Sequence, residues 1–170
     1  MTSFLSLISL YSYLTKQMAT TNITKSKVLI NIDSAFEKNG KSCIFSRENH
    51  EGKSILGRNG KYYLVFESES EEKKDRGAIN RVSTLNVLKC EPRKVTYFKY
   101  GPVQSKFEFE LNRWTKCFCY IKDGFIEFDC FTKGLEVNLS DTSLQFVIRY
   151  KLYSGNSSIG TYNLNVMYKC

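Results

Sequence analysis

The sequence predicts an all-β domain: a single antiparallel, mostly up-and-down β-barrel of about eight strands. Three observations lead to this prediction. Aromatic residues make up 14% of the 170 residues, and such side chains fit the pleated, half-buried surface of a sheet. Apolar and polar residues alternate in one segment after another, with the period of two that is typical of half-buried strands. The links between these segments are short, which favours antiparallel neighbours, because parallel crossovers need about a dozen residues or more.

The first strand is predicted from residue 25, where Val28, Ile30 and Ile32 alternate with polar residues. Residues 36–60 are polar and contain glycines, so we expect mainly a loop there, with one short strand near residues 54–56.

The segment KYYLVFE, residues 61–67, predicts a strong strand, because apolar side chains occupy both of its faces. The charged run SESEEKKDRG that follows, residues 68–77, is expected to be a hairpin loop rather than a site for a cation or a partner. Further strands are predicted at residues 81–90, 94–100, 106–111, 115–121, 124–132, 135–139, 143–153 and 161–169.

A set of strands joined in this way either closes or stacks, and closure removes the unpaired edges of a sheet. No helical periodicity or internal repeat is present after residue 25. We therefore expect one domain over residues 25–170, which is an ordinary length for a single core.

The amino-terminal segment contains an apolar run over residues 4–14, with no Lys or Arg before Lys16. A signal peptide has a basic start, and a bilayer span needs about 20 apolar residues. We expect residues 1–24 to be a leader that is disordered or follows from a mis-assigned start, with Met18 as the alternative initiator. An export signal and a short docking helix remain open.

Six cysteines are present, and two of them test the register of one hairpin. A type I′ turn at Asp123 and Gly124 would pair Lys122 with Phe125, and further along would pair Cys117 with Cys130. These two residues are then buried thiols, a cross-strand disulfide or, with a third cysteine, metal ligands. The Cys-x-Cys spacing is poor for zinc, and we expect reduced, buried thiols in a cytoplasmic protein.

The sequence offers little for catalysis. It has no Gly-x-Ser-x-Gly, no phosphate-binding loop and no His-containing metal motif, and its single histidine, His50, lies in a predicted loop. We therefore expect a protein that is not an enzyme, with no cofactor and no metal.

Two binding functions remain. The first is a small apolar ligand in the barrel interior, although the same aromatic residues would also serve simply to fill a small barrel. Its candidate residues are Tyr62, Phe66, Phe107, Phe109, Phe128, Phe146 and Tyr150.

The alternative is a contact surface for nucleic acid or a ribonucleoprotein. The net charge is +8, and basic residues interleaved with aromatic ones are typical of single-strand binding. A solubilising surface explains the same charge. The candidate residues are Lys94, Lys99, Lys106, Arg113, Trp114 and Lys116.

Several strand motifs together resemble the YwiB-like family of uncharacterised bacterial proteins. The motifs are NGKYYLVFE at residues 59–67, STLNVLKC at 83–90, VTYFKYG at 95–101, KFEFE at 106–110, GFIEFDCFTKGLEVNLSD at 124–141 and the closing hairpin at 144–166. The resemblance implies a calycin-like (lipocalin-like) β-barrel, and it supplies no activity. Calycin barrels elsewhere bind small apolar ligands, which is an analogy of fold alone.

The sequence departs from the family pattern at two places. Lys99, Tyr100 and Gly101 stand where the family often has Arg-x-Gly. The segment over residues 120–124 is one residue shorter than the family's Tyr-x-Thr-Pro hairpin and lacks its proline. If those positions form a shared site, this chain has altered it.

Overall fold

In the computed structural model, residues 24–38, 40–57, 60–73, 79–140 and 143–169 are described, and they form ten β-strands. Most connections between the strands are tight turns of two or three residues, as alternating segments with short links require. The strands are β1 (Thr24–Lys38), β2 (Lys41–Leu56), β3 (Tyr62–Lys73), β4 (Ile79–Glu91), β5 (Lys94–Tyr100), β6 (Gln104–Glu110), β7 (Trp114–Ile121), β8 (Gly124–Leu139), β9 (Ser143–Ser154) and β10 (Ser157–Lys169).

Each strand pairs with its successor in antiparallel fashion, and β10 pairs with β1 to close the barrel. The closing ladder runs from Leu29 opposite Lys169 to Glu37 opposite Thr161. The predicted all-β, antiparallel, up-and-down barrel is therefore confirmed, with ten strands rather than about eight.

The predicted loop over residues 36–60 is wrong, because most of it is strand β2. Strand β2 pairs with β1 from Lys41 to Leu56, whereas it pairs with β3 only from Gly52 to Leu56. Its residues Arg47, Glu48 and Asn49 are exposed, so this part of the strand lacks the apolar alternation that sequence reasoning uses to recognise strands.

The charged run after β3 is also more ordered than the hairpin-loop prediction implied. Strand β3 continues to Lys73 and pairs with β4 up to Ile79. The rest of the predicted loop, residues 74–78, lies outside the described residues.

The turn between β7 and β8 differs from the predicted one. Ile121 pairs with Gly124, so that Lys122 and Asp123 form the tip, and Cys117 lies opposite Phe128 instead of Cys130. A type I′ turn requires positive φ at both central residues. Among the described non-glycine residues only Asn112 has positive φ, which excludes that turn. The register is displaced by two residues, and the inward-facing side chains are therefore those predicted.

Strands predicted separately at residues 124–132 and 135–139 form the single strand β8. A β-bulge between Thr132 and Gly134 shifts its register with β9. The extra residue at a bulge bends a strand without ending it, so the Thr-Lys-Gly segment that reads as a turn in the sequence continues the ladder.

The leader prediction falls outside the described residues, except that β1 begins at Thr24.

Alternating side chains of the strands meet inside the barrel and form a packed core. Phe109, Phe146, Leu64 and Leu88 are at most 1% exposed. The wider core also contains Val28, Ile30, Ile32, Phe66, Cys90, Val95, Cys117, Cys130, Leu144, Ile148, Leu152, Leu164, Val166 and Tyr168. One continuous apolar interior thus stabilises the barrel.

Replacing Phe146 with Ala is expected to lower the free energy of unfolding by about 3–5 kcal/mol, because a fully buried ring leaves a cavity. Urea unfolding followed by circular dichroism measures the effect. Val147→Ala, which changes the outward-facing neighbour, should cost less than about 1 kcal/mol. Equal losses in the two variants would contradict the inward position of Phe146.

Candidate functional site

The wall of the barrel opens between β2 and β3. These strands share five residue pairs, from Gly52 with Phe66 to Leu56 with Tyr62. Before Gly52, the residues of β2 pair with β1 and not with β3. After Phe66, the residues of β3 pair with β4 and not with β2. We call the point where β2 and β3 part the fork.

A cleft of about 770 Å³ lies at the fork. Apolar side chains, among them Leu29 and Val65, occur in its lining together with charged ones of both signs. The combination of apolar surface and a few polar groups is typical of small-molecule sites. The lining residues are Lys27, Val28, Leu29, Glu51, Gly52, Lys53, Val65, Phe66, Glu67 and Leu85.

Gly52 sets the position of the fork. A Cβ atom on this residue would lie 2.6 Å from Ile30 Cδ1 and 2.7 Å from the carbonyl oxygen of Val65. Both distances are shorter than van der Waals contact, so the chain approaches its neighbours here only because it carries no side chain. The last close β2–β3 contact therefore occurs at Gly52.

Polar side chains gather on the inner face next to the fork, at the open end of the barrel. We call Glu48, His50, Asn86, Tyr97 and Lys99 the mouth cluster. Glu48 lies on β2, and its charge acts on Tyr97 and Lys99 of β5 although two strands separate β2 from β5. Alternation along β2 and β5 places these three residues on the inner face of the wall.

Hydrogen bonds order part of the mouth cluster. The Tyr97 hydroxyl donates to Asn86 Oδ1 at 2.9 Å, and Asn86 Nδ2 donates to Ser68 Oγ at 2.9 Å. His50 Nε2 lies 2.8 Å from a carboxylate oxygen of Glu48, and its ring stacks on Phe66 with the centroids 4.8 Å apart. Through Phe66 the mouth cluster adjoins the cleft.

Burial and charge shift the pKa of two members of the cluster. Burial raises the pKa of Tyr97, and the negative charge of Glu48 raises it further. Burial lowers the pKa of Lys99, while Glu48 and Cys119 act in the opposite direction. The Lys99 ammonium lies 5.1 Å from the centre of the Tyr97 ring, a cation–π distance. The mouth cluster thus combines Lys99, whose pKa is lowered, with the carboxylate of Glu48 at one opening of the barrel.

The seven aromatic residues proposed for an interior ligand all contribute to the core. Phe66, Phe109 and Phe146 belong to it, and Tyr62, Phe107, Phe128 and Tyr150 pack against it. Phe109 contacts Tyr150 with the ring centroids 4.8 Å apart. Of the seven, Phe66 is also part of the cleft lining.

Four of the six residues proposed for nucleic acid are paired with carboxylates. Lys94 and Lys106 both pair with Glu108, at 3.0 and 2.8 Å. Lys116 lies 2.6 Å from Glu127.

Arg113 of the same set pairs with Glu110 at 3.1 Å, and Trp114 packs against Phe131 and Tyr153. Lys99 follows the same alternation along β5 as the inward-facing Val95 and Tyr97, and it is exposed at the open end of the barrel. These ion pairs offset the local positive charge that phosphate contacts require.

Cys117 and Cys130 are both free and fully buried. They are diagonal neighbours on the inner face, and the hydrogen bond with Cys130, followed by burial, raises the pKa of Cys117. Burial alone raises the pKa of Cys90 to about 12. Cys117 and Cys90 are therefore poor nucleophiles at neutral pH, since the thiolate is the reactive form, whereas the hydrogen bond with Cys117 lowers the pKa of the buried Cys130.

Sequence reasoning missed Glu48, Glu51 and Gly52 of β2, because it read this region as loop, whereas Phe66 was among the predicted ligand-binding residues. One signal was available: the isolated glycine at position 52, between charged residues and an apolar pair, is typical of close backbone approach within a strand.

Two features are absent from the described part of the chain. It contains no group of three or more His, Cys, Asp or Glu side chains placed to hold a metal ion. Nor does it contain a helix with the length and apolar character of a membrane span.

The structure defines the protein as an all-β, closed antiparallel barrel, and comparison with known proteins identifies the family. The chain belongs to the family described as a domain of unknown function, DUF1934, whose model matches residues 30–166. The crystal structure of the ywiB protein from Bacillus subtilis is similar, with a TM-score of 0.70 and 17% identity over 89% of this chain and 96% of that chain. The YwiB-like resemblance is thereby confirmed, and it shows the fold. No curated protein matches.

Lys99 is expected to titrate below an ordinary lysine, because burial penalises its charged form. Replacing Glu48 with Gln removes a charge that raises the pKa of Lys99, so the pKa should fall further. NMR titration of ¹³C-dimethylated lysines measures both effects. Glu67→Gln, on the outer face, serves as the control and should leave Lys99 unchanged. An increase in the pKa of Lys99 in Glu48→Gln would contradict the facing arrangement of the mouth cluster.

Alkylation tests the buried thiols. Native Cys117 and Cys130 should react with iodoacetamide at least about 100-fold more slowly than in the unfolded protein, because labelling requires opening of the barrel. Peptide mass spectrometry reports each site, and half-buried Cys119 is the internal comparison. Rapid labelling of both buried thiols in the native protein would show that the inner-face assignment is wrong.

Proposed function

We propose that this protein is a small-ligand-binding β-barrel whose ligand occupies the cleft at the fork. The single observation that carries the proposal is the cleft of about 770 Å³ at the place where the wall opens. Small-molecule sites commonly have volumes of about 300–1,000 Å³. The packed interior is filled with its own aromatic side chains, so the ligand site lies at the fork rather than along the barrel axis.

The lining indicates the chemistry of the ligand. Leu29, Val65 and Leu85 provide apolar contact surface, while two lysines and two glutamates add charges that cancel. A small amphipathic molecule without net charge matches this lining, because it covers the apolar surface without leaving an ionic group unpaired. A strongly anionic ligand, such as a polyphosphate, does not.

The proposed role is binding without catalysis, in the reducing environment of the cytoplasm. Cys90, Cys117, Cys119 and Cys130 are free, and free buried cysteines are common where thiols are kept reduced. The mouth cluster orders a tyrosine, an asparagine and a histidine, and in this proposal it supplies polar contacts beside the cleft.

Fluorescence titration with Nile red, an uncharged apolar dye, tests the cleft. We expect one saturable site per chain. Leu85→Trp, which fills the cleft, should weaken binding about tenfold or more, equal to about 1.4 kcal/mol. Val147→Trp places the same side chain on the outer face of β9 and should leave the affinity unchanged.

Two outcomes would contradict the proposed site. An unchanged affinity in Leu85→Trp, with loss of binding in Phe107→Leu, would move the ligand into the interior. Native mass spectrometry of protein from its own host gives the second check. A bare polypeptide mass together with no dye binding would reject ligand binding, and a nuclease-sensitive added mass would favour the nucleic-acid function.

A further inference from the structure

Three aromatic side chains meet on the outer face of the barrel, on β7, β8 and β9. Phe131 and Tyr153 point outward, because they alternate with the buried residues Cys130 and Leu152. The ring centroid of Trp114 lies 5.1 Å from that of Phe131 and 5.3 Å from that of Tyr153. The planes of Trp114 and Tyr153 are inclined at 57°, so the two rings form two walls rather than a stack. Trp114 is nevertheless 59% exposed, which leaves more than half of this residue accessible to a ligand.

An open depression of about 440 Å³ lies beside these two walls. Trp114, Tyr153 and Asp129 line it, together with Gly155 and Asn156 from the turn between β9 and β10. Asp129 is directly opposite Tyr153 in the ladder between β8 and β9, and paired residues of antiparallel strands point to the same face. The depression thus combines two aromatic rings with one carboxylate. It shares no lining residue with the cleft at the fork.

The ion-pair network that includes Asp129 carries a net negative charge. Lys116 Nζ lies 2.7 Å from Asp129 Oδ1 and 2.6 Å from Glu127 Oε1. One ammonium therefore faces two carboxylates, which leaves a single negative charge. Lys151 lies opposite Phe131 and is not part of the lining. Although the chain as a whole is basic, with a net charge of +8, this network disfavours a phosphate and attracts a cation.

We propose that the depression formed by Trp114, Asp129, Tyr153, Gly155 and Asn156, which we call the aromatic corner, binds a small organic cation with a methylated ammonium group. Such a group carries its charge beneath apolar methyl groups, so it contacts aromatic faces and a carboxylate without hydrogen bonds of its own. Recognition of quaternary ammonium ligands is a well-attested use of cation–π contacts, and tryptophan is the best ring for it.

Two properties of the aromatic corner favour this ligand class over others. A neutral molecule would match the rings but would gain nothing from the net negative charge. The volume of about 440 Å³ lies within the range of about 300–1,000 Å³ that small-molecule sites commonly have. This inference does not depend on the ligand proposed for the fork, because the two sites have no residue in common.

NMR titration of the full chain with tetramethylammonium chloride tests the aromatic corner. The indole N–H of Trp114 gives one signal, because the chain contains no other tryptophan. With ionic strength held constant by sodium chloride, this signal should shift and saturate with a dissociation constant of about 1–10 mM. Choline should bind at least about threefold more tightly than dimethylbutanol, its neutral carbon isostere.

Substitutions in the ion-pair network should change the affinity for tetramethylammonium in opposite directions. Asp129→Asn removes the net negative charge and should weaken binding about threefold or more, whereas Lys116→Met adds to that charge and should strengthen binding by a similar factor. Tyr153→Leu removes one wall and should weaken binding about threefold or more. Glu136→Gln, which removes an exposed carboxylate of β8 outside the aromatic corner, is the matched control and should leave the affinity unchanged.

Four outcomes would overturn the proposal. The first is a Trp114 signal that does not saturate, and the second is equal affinity for choline and dimethylbutanol. Tighter binding of adenosine monophosphate than of choline would show that the rings stack on a base instead. Tighter binding of acetylated trimethyllysine amide than of choline would show that the ligand is a modified protein side chain rather than a small molecule.

Discussion

The ladder between β1 and β10 is the constraint on which the rest of the structure depends. It joins the first strand of the barrel to the last, from Leu29 with Lys169 to Glu37 with Thr161. Without it, the same strands would form an open sheet with two free edges and an apolar face in water. Closure turns that face inward, so that side chains from every part of the chain share one core. The domain is therefore cooperative across its whole length, because its ends are neighbours.

Closure also restricts where a function can reside. The aromatic side chains that make a ligand-binding interior plausible from the sequence are occupied with one another, as the contact between Phe109 and Tyr150 illustrates. Space and polar side chains occur instead where the wall is incomplete. The fork and the mouth cluster adjoin each other through Phe66, which contributes its ring to both. In this barrel the break in pairing, rather than the core, has the features of a site.

The sequence predicts the parts of the fold that depend on a buried face. Alternation locates β5 and β9 almost to the residue, because one side of each of these strands must be apolar, while β10 begins four residues before its predicted start. It fails for β2, whose far half is held by pairing with β1 alone and has no apolar side to reveal it. The predicted turn at Asp123 and Gly124 is wrong for another reason, since the tip lies at Lys122 and Asp123. A backbone conformation was assumed from the Asp-Gly pair, and a displacement of two residues keeps every side chain on its predicted face.

The candidate site was beyond sequence reasoning for a related reason. Glu48 lies far along the chain from Tyr97 and Lys99, on a strand that is not a neighbour of β5, so only the closed ring brings it near them. Gly52 gives the one local signal, and its meaning depends on Ile30 and the Val65 carbonyl, which become neighbours only in the assembled wall. Long-range arrangement of this kind is set by topology, which periodicity does not encode.

The fork leaves two strand edges without a partner among the described residues, on β2 before Gly52 and on β3 after Phe66. Unpaired backbone groups in an extended strand invite other chains to add to the sheet, and this is a common route to aggregation. Along β3 the exposed residues Glu67, Glu69 and Glu71 follow one another on the outer face. A second molecule approaching edge to edge would bring the same carboxylates into proximity. The acidic run that reads as a simple solvated loop in the sequence therefore protects the open seam of the barrel against self-association.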